Sequence, residues 1–255
     1  MVIAVIAILA SLLLPALSVA KRKAQAVTCI NNLKELGRAC ELYTLDYNDV
    51  LPLNECADLV GGMGMPIWQM GSQEGDWVTG HAKWDTDTEN IKKGTLFPYA
   101  GNASIYLCPA DKSTTEKPGT FPGTMKLKQR RTRSYSMNGS MHCTKWREAL
   151  SYKRGSLINN VGASQAFVFL DVNEDSISDG HFKIINRWEP KFGDVWISLP
   201  SDRHNVGCNL SYADGSARYQ KWNHPKKWTN YFQPVANAQD EKDLRKLQEG
   251  IKQSP

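Results

Sequence analysis

No charged side chain occurs between Met1 and Ala20, and no positive charge precedes Lys21. A cleaved secretory signal expects a basic region ahead of a shorter apolar core, so the reading adopted is a spanning helix. Residues 1–20 are just long enough to cross a hydrocarbon layer of about 30 Å. The six cysteines (Cys29, Cys40, Cys56, Cys108, Cys143 and Cys208) contain no Cys-x-x-Cys pair, which argues against zinc ribbons and thioredoxin-like sites. An even count in an exported protein permits disulfides, but the spacing does not choose a pairing. Only a Cys29–Cys40 bridge is excluded, because on one straight helix the two lie about 16 Å apart. There is no basic stripe interleaved with aromatics, so nucleic acid is not expected as a partner. The run Lys126, Lys128, Arg130, Arg131 and Arg133 is read as a solvated loop. Internal repeats and low-complexity segments are missing. No nucleophile motif accompanies any histidine or acid, and the chain is not expected to be an enzyme.

What is present begins with the helix. The uncharged stretch runs into Lys21, Arg22 and Lys23, which mark an interface, and continues without a break signal. Ile3, Ile6, Leu9, Leu13 and Leu17 then belong to an apolar assembly surface. Pro15 lies inside it; in water an interior proline costs a helix about 3 kcal/mol, whereas neighbours in a bundle or membrane can satisfy the freed carbonyl. Further on, Leu33, Leu36, Cys40, Tyr43 and Tyr47 step by three and four and share one helical face. Asn48, Asp49 and Leu51-Pro52 end the element. The spacing predicts one helix over residues 2–48, about 70 Å long at 1.5 Å per residue. Residues 49–255 form a globular part that must cover its stripe.

That globular part is rich in turn residues. Residues 53–90, with Trp68, Trp77 and Trp84 among glycines, read as a long irregular excursion with tryptophans wedged into a loop-rich core. A tryptophan-lined glycan surface is the functional alternative. Ala166–Leu170 is a buried strand ending in Asp171, and His181–Trp188 a second candidate. Asp214-Gly215 between two apolar runs predicts a hairpin over 208–222 with a two-residue type I′ turn, Tyr212 opposite Ala217 and Leu210 opposite Tyr219. The hairpin should lie on the helix stripe, giving an α+β fold with an antiparallel sheet and long irregular loops. Asp171, Asn173, Asp175 and Asp179 place hard oxygen donors at alternating positions, a pattern that suits Ca²⁺. The EF-hand pattern fails, since Ser176 stands at the turn glycine and Phe182 at the closing glutamate; a plain acidic turn is the competing account. Leu244, Leu247 and Ile251 predict a short surface helix over 240–252.

The stretch from Val2 to Leu17, proline included, resembles the N-terminal helix of type IV pilins and type II secretion pseudopilins. The run Cys29–Gly37 (Cys-Ile-Asn-Asn-Leu-Lys-Glu-Leu-Gly), with Tyr43 and Asp46-Tyr-Asn, is similar to a group of prepilin-type proteins. That group carries a His-x9-Asp-Gly motif, matched here by His204, Asp214 and Gly215. Leu107–Asp111, Ser134–Asn138 and Phe167–Asp171 extend the resemblance over residues 2–222. The resemblance implies a pilin-like fold and homo-oligomeric assembly into a filament, with related pilin-like subunits as further partners. It implies a single-pass stay in the inner membrane, head outside the cytoplasm, before a cell-surface or extracellular filament. Some pseudopilins bind calcium in a head loop, and by that analogy calcium is the candidate cofactor here. The basic leader, glycine cleavage site and early glutamate of such proteins are not in this sequence, so Met1 is expected to fall inside the helix. Lys21–Lys23 alone would favour a cytoplasmic C-terminal side.

Three functions follow. The first is a structural filament subunit; the second is a membrane-anchored binding module for glycans that does not polymerise. The third is an anchored hydrolase using His204. His204 itself is read as a hydrogen-bonded residue that fixes the loop before the hairpin, with metal binding and catalysis as alternatives.

Overall fold

A computed structural model describes residues 2–55, 69, 71–120, 124–144, 151–188 and 193–252. Cys56, Trp68 and most of the glycine-rich part of the excursion lie outside the described residues, as do several side chains within 2–12. The order of elements is α1 (Val2–Asp46), α2 (Glu89–Lys93), α3 (Phe97–Ala100), β1 (Thr114–Glu116), β2 (Lys126–Arg130), β3 (Tyr135–Asn138) and β4 (Phe167–Asp171). There follow β5 (His181–Phe182), β6 (Val195–Trp196), β7 (Gly207–Tyr212), β8 (Ala217–Lys221), β9 (Gln233–Pro234) and α4 (Ala238–Gln248).

α1 is one unbroken helix of 45 residues, and Pro15 does not interrupt it. It stops where Asn48 and Asp49 take positive φ (52° and 71°), a conformation that Asn and Asp tolerate better than most residues. Its two halves have different surroundings. Cys29, Leu33, Leu36, Ala39 and Cys40 are buried in the main core, as the stripe predicts. Beyond them Tyr43 is only half-buried and Tyr47 is exposed, the two rings stacked on each other at 4.2 Å. In the first half Ile3, Ile6, Leu9, Leu13, Leu14 and Leu17 are all exposed, Ile3 at 84%. Among the described residues no helix is long and apolar enough to cross a membrane.

The helix packs on a five-stranded sheet of order β5-β3-β4-β7-β8. The sheet is antiparallel except at one edge, where β5 runs parallel to β3. The expected strand over 181–188 is only the two residues of β5, and Trp188 is exposed.

The hairpin is where expected, but its register is not. Ser211 lies opposite Ala217, Leu210 opposite Arg218 and Asn209 opposite Tyr219. The Gly215 amide donates to the Tyr212 carbonyl at 3.0 Å and the Tyr212 amide to the Ser216 carbonyl at 2.8 Å. Gly215 has φ +78°, whereas Asp214 is not among the positive-φ residues. A type I′ turn needs positive φ at both central residues. This is therefore a three-residue connection, a type I turn closed by a left-handed glycine. The Asp214 amide is also claimed by the Ala163 carbonyl (3.1 Å) and the Ala213 amide by that of Ala166 (2.9 Å).

The face that β7 turns to the helix also differs from the expected one. Cys208 and Leu210 join a second core with Phe167, Leu170, Trp196, Trp222 and α4. The helix instead meets Asn209, whose amide donates to the Ala26 carbonyl at 3.3 Å, and Ser211, beside Gly37. The tail prediction holds: α4 is capped by the Asn237 side chain and buries Leu244, Leu247 and nearby Ile251.

His181 makes stability depend on pH. It is buried, with Nδ1 at 2.9 Å from the Asn54 carbonyl, and burial, then Lys183, push the imidazole down to about 4. A base whose folded pKa lies below its unfolded value of about 6.5 stabilises fully above that value, and the contribution is lost as pH falls through the folded pKa. Asp76, pushed up to about 6 by burial, acts in the opposite sense, so His181 is isolated only by comparison. His181→Gln should lose about 2–3 kcal/mol less than the parent between pH 7 and 4.5, measured by urea unfolding. Parallel pH profiles would contradict a neutral buried imidazole.

Candidate functional site

Four segments converge beneath the docked half of α1. Cys29 projects from the helix. Cys108 follows a 3-10 turn (Ala103–Tyr106) capped by Asn102, and its amide donates to Ser134 Oγ at 2.7 Å. Asp171 is the last residue of β4. His204 sits in the tight turn entering β7, where its amide donates to the Gly207 carbonyl at 3.1 Å. Asn205 and Val206, the next two residues, both have positive φ (55° and 57°). For a β-branched valine that conformation is costly and persists only where surroundings impose it. Gly207 is required here, since a Cβ would stand 2.4 Å from the Gln220 carbonyl.

One ligand atom from each of Cys29, Cys108, Asp171 and His204 lies within 4.8 Å of the others, and all four residues are buried. His204 Nε2 is 3.2 Å from Cys108 Sγ and 3.6 Å from Asp171 Oδ2. Around this set is a supporting layer. The Tyr135 hydroxyl donates to Cys29 Sγ at 3.2 Å, and Ser201 Oγ to Asp171 Oδ2 at 2.9 Å. The Arg203 guanidinium pairs with Asp171 Oδ1, with Glu174 Oε2 at 2.9 Å and, at 3.6 Å, with Asp111 Oδ2.

The electrostatics are those of a buried polar cluster. Burial, and then Arg203, push the His204 imidazole down to about 4, so near neutral pH it is an uncharged donor of a lone pair. The hydrogen bond with Cys29, and then burial, hold the Cys108 thiol well above its ordinary value. Burial pushes the Asp171 carboxyl up, and Arg203 opposes it. Two sulfurs, one imidazole nitrogen and one carboxylate oxygen could hold a metal ion, and among the described residues no other group of His, Cys, Asp and Glu comes together this way.

The acidic loop does not assemble as a calcium site. Asp171 is taken by Arg203 and Ser201, and Asp179 by Lys183 at 2.6 Å. Asp175 faces Lys126 across 3.8 Å, and Asn173 closes the local turn by accepting the Asp175 amide at 3.0 Å. Among the described residues the carboxylates of Asp171, Asp175 and Asp179 do not come together as one group, so alternation along the chain does not become a shared shell. The two ends of the His-x9-Asp-Gly motif also part company. Asp214 stays at the exposed turn, accepting from the Ser216 amide and hydroxyl (3.0 and 2.6 Å) and pairing with Arg218 at 3.0 Å. Its His204 faces Cys108 and Asp171 instead.

Of the tryptophans read as core, Trp77 is fully buried and Trp84 half-buried against His81. The basic run divides. β2 is exposed, whereas Arg131 and Arg133 are buried, Arg131 on Glu116 at 3.0 Å and Arg133 on the Gly80 carbonyl at 2.9 Å.

The sequence reading missed Cys29, Cys108 and Asp171 as partners of His204. A signal was there: each of the four lies in a different segment that carried the family resemblance.

A long helix docked on a mostly antiparallel sheet, with a second helix closing the far side, defines an α+β protein whose polar centre lies at the helix–head seam. The chain belongs to the DUF1559 family (SBP_bac_10, protein of unknown function), whose model matches residues 19–196, and which is typical of prepilin-like bacterial surface proteins. No curated protein and no solved structure matches the chain.

Proposed function

We propose that this chain is a structural subunit of a type IV pilus-like or type II secretion pseudopilus-like filament, and that it assembles through the first half of α1. The observation that carries this reading is the division of one helix into a docked half and an apolar half whose described leucines and isoleucines the head leaves exposed. Leu9, Leu13 and Leu17 repeat every four residues along the uncovered half and are 55–66% exposed. Fully burying one such leucine is worth about 1.5–3 kcal/mol, and contiguous exposed apolar surface of this kind marks an interaction site. Neighbouring helices of the same kind are the partner that fits.

A stay in the inner membrane before assembly, with the head outside the cytoplasm, is part of the proposal. It rests on the uncharged sequence of residues 1–20, several of whose side chains are outside the described ones.

The test compares the full chain with a form lacking residues 2–20. The full chain should sediment as assemblies or require detergent, and the shortened form should be a soluble monomer. Leu13→Lys should raise the concentration needed for assembly about 10- to 100-fold, the equivalent of losing one buried leucine. A monodisperse, detergent-free monomer of the full chain would overturn the proposal. Electron microscopy of sheared surface material separates it from an anchored binding module, which leaves no filaments.

A further inference from the structure

We propose that Cys29, Cys108, Asp171 and His204 form a structural zinc site that ties α1 to the head. This inference is independent of filament assembly. It begins with geometry. Zinc takes thiolate at about 2.3 Å and imidazole or carboxylate at about 2.0–2.2 Å in a tetrahedron, whose edges are then about 3.3–3.8 Å long. The observed 3.2 Å from His204 Nε2 to Cys108 Sγ and 3.6 Å from Nε2 to Asp171 Oδ2 are close to two such edges. The remaining pairs fall within 4.8 Å, so shifts well under one bond length would close the shell.

The donors also suit the ion. Two sulfurs with one nitrogen select zinc over magnesium or calcium, which take oxygen shells. All four positions come from protein, the pattern of a structural site rather than a catalytic one with an open position. The supporting layer that metal ligands need is already built. Tyr135 donates to one sulfur, Ser201 to the coordinating carboxylate oxygen, and Arg203 holds the carboxylate's other oxygen.

Charge decides whether such a site can exist out of water. Arg203 and Asp171 contribute one charge of each sign. Two thiolates would balance the two charges of Zn²⁺ as Arg203 balances the Asp171 carboxylate, so the site is neutral when filled. An entry route exists as well. A groove of about 620 Å³ runs between α1 and the head, and His204, Arg203, Ala26 and Ala110 are among the residues lining it.

The experiment uses the full chain, purified in detergent under reducing conditions without chelator. Mass spectrometry of metal content should find about one zinc per chain. Exchange with Co²⁺ should give sulfur-to-cobalt charge-transfer absorption together with the intense visible bands of a tetrahedral ion. Cys108→Ser and His204→Ala should lose both signals, while Asp214→Asn, a change at the exposed turn of the same motif, should keep them. If a variant fails to fold, the cobalt spectrum of the parent still decides. A parent that holds no zinc and shows no tetrahedral cobalt bands overturns the proposal. So does a non-reduced peptide map in which Cys29 and Cys108 are joined as a disulfide in the native chain.

Discussion

Lys226→Met is expected to lower stability by about 3–5 kcal/mol at neutral pH, the usual cost of breaking a buried ion pair from one side. Lys226 is buried, and its Nζ donates to Asp240 Oδ1 at 2.6 Å and Asp243 Oδ2 at 2.7 Å. The same ammonium stands over the rings of Trp196 and Trp222, at 5.0 and 5.3 Å. Its two acceptors organise the C-terminal region. Asp240 also accepts from Trp196 Nε1 at 3.0 Å and from the Ala236 amide, and Asp243 from the amides of Asn223 and His224. Methionine matches the stem but leaves two carboxylates in the second core without their cation. Adding Asp240→Asn and Asp243→Asn to the same chain should recover part of the loss, because the penalty comes from uncompensated charge and not from lost packing. Urea unfolding of the three chains measures this. A single variant within 1 kcal/mol of the parent, or no recovery, would show that the network is not charged as described.

Trp77→Ala should cost about 3–5 kcal/mol by opening a cavity in the first core. The indole is fully buried between Tyr106, stacked at 5.8 Å, and Phe169, edge-on at 4.9 Å, and its Nε1 donates to the Gly180 carbonyl at 3.1 Å. The melting temperature should fall by about 10 °C for a chain of this size. Trp77→Phe keeps most of the area and should lose distinctly less. Equal losses would mean that the hydrogen bond to Gly180, and not volume, holds the loop.

The helix was legible because its signals are local. The step from Leu33 to Leu36 to Cys40 states a buried face outright, and the faces of Leu244, Leu247 and Ile251 do the same for α4. The hairpin was legible as a hairpin, since Asp214-Gly215 marks a reversal. Its register was not, because it depends on whether Asp214 takes positive φ, and the carbonyls of Ala163 and Ala166 decide that from another part of the chain. One residue of slip changes which side chains of β8 share a face with Leu210. The acidic loop misled for a related reason. Alternating oxygens describe a cation shell only if no fixed cation is nearer; Arg203 and Lys126 come from other segments, and Lys183 folds back from just beyond the loop. The four-residue polar centre has no short spacing for a motif to capture. Only its coincidence with four separate resembling segments pointed to it.

The seam between α1 and the head bears on how the molecule carries a pull along the helix. Apolar packing by itself resists sliding weakly, since one leucine can replace another a turn further on. Here the helix is indexed by polar contacts as well. Gln25 donates to the Pro109 carbonyl at 3.1 Å, Asn32 to that of Leu107 at 3.1 Å, and Asn209 reaches back to the Ala26 carbonyl at 3.3 Å. A slip of one turn, 5.4 Å, offers Asn209 another helix carbonyl but takes both Gln25 and Asn32 away from their acceptors, so an axial load falls on these two together. The head is thus a keyed collar on a shaft: in the proposed filament, tension arriving through the apolar half would reach the sheet with the helix held at one setting.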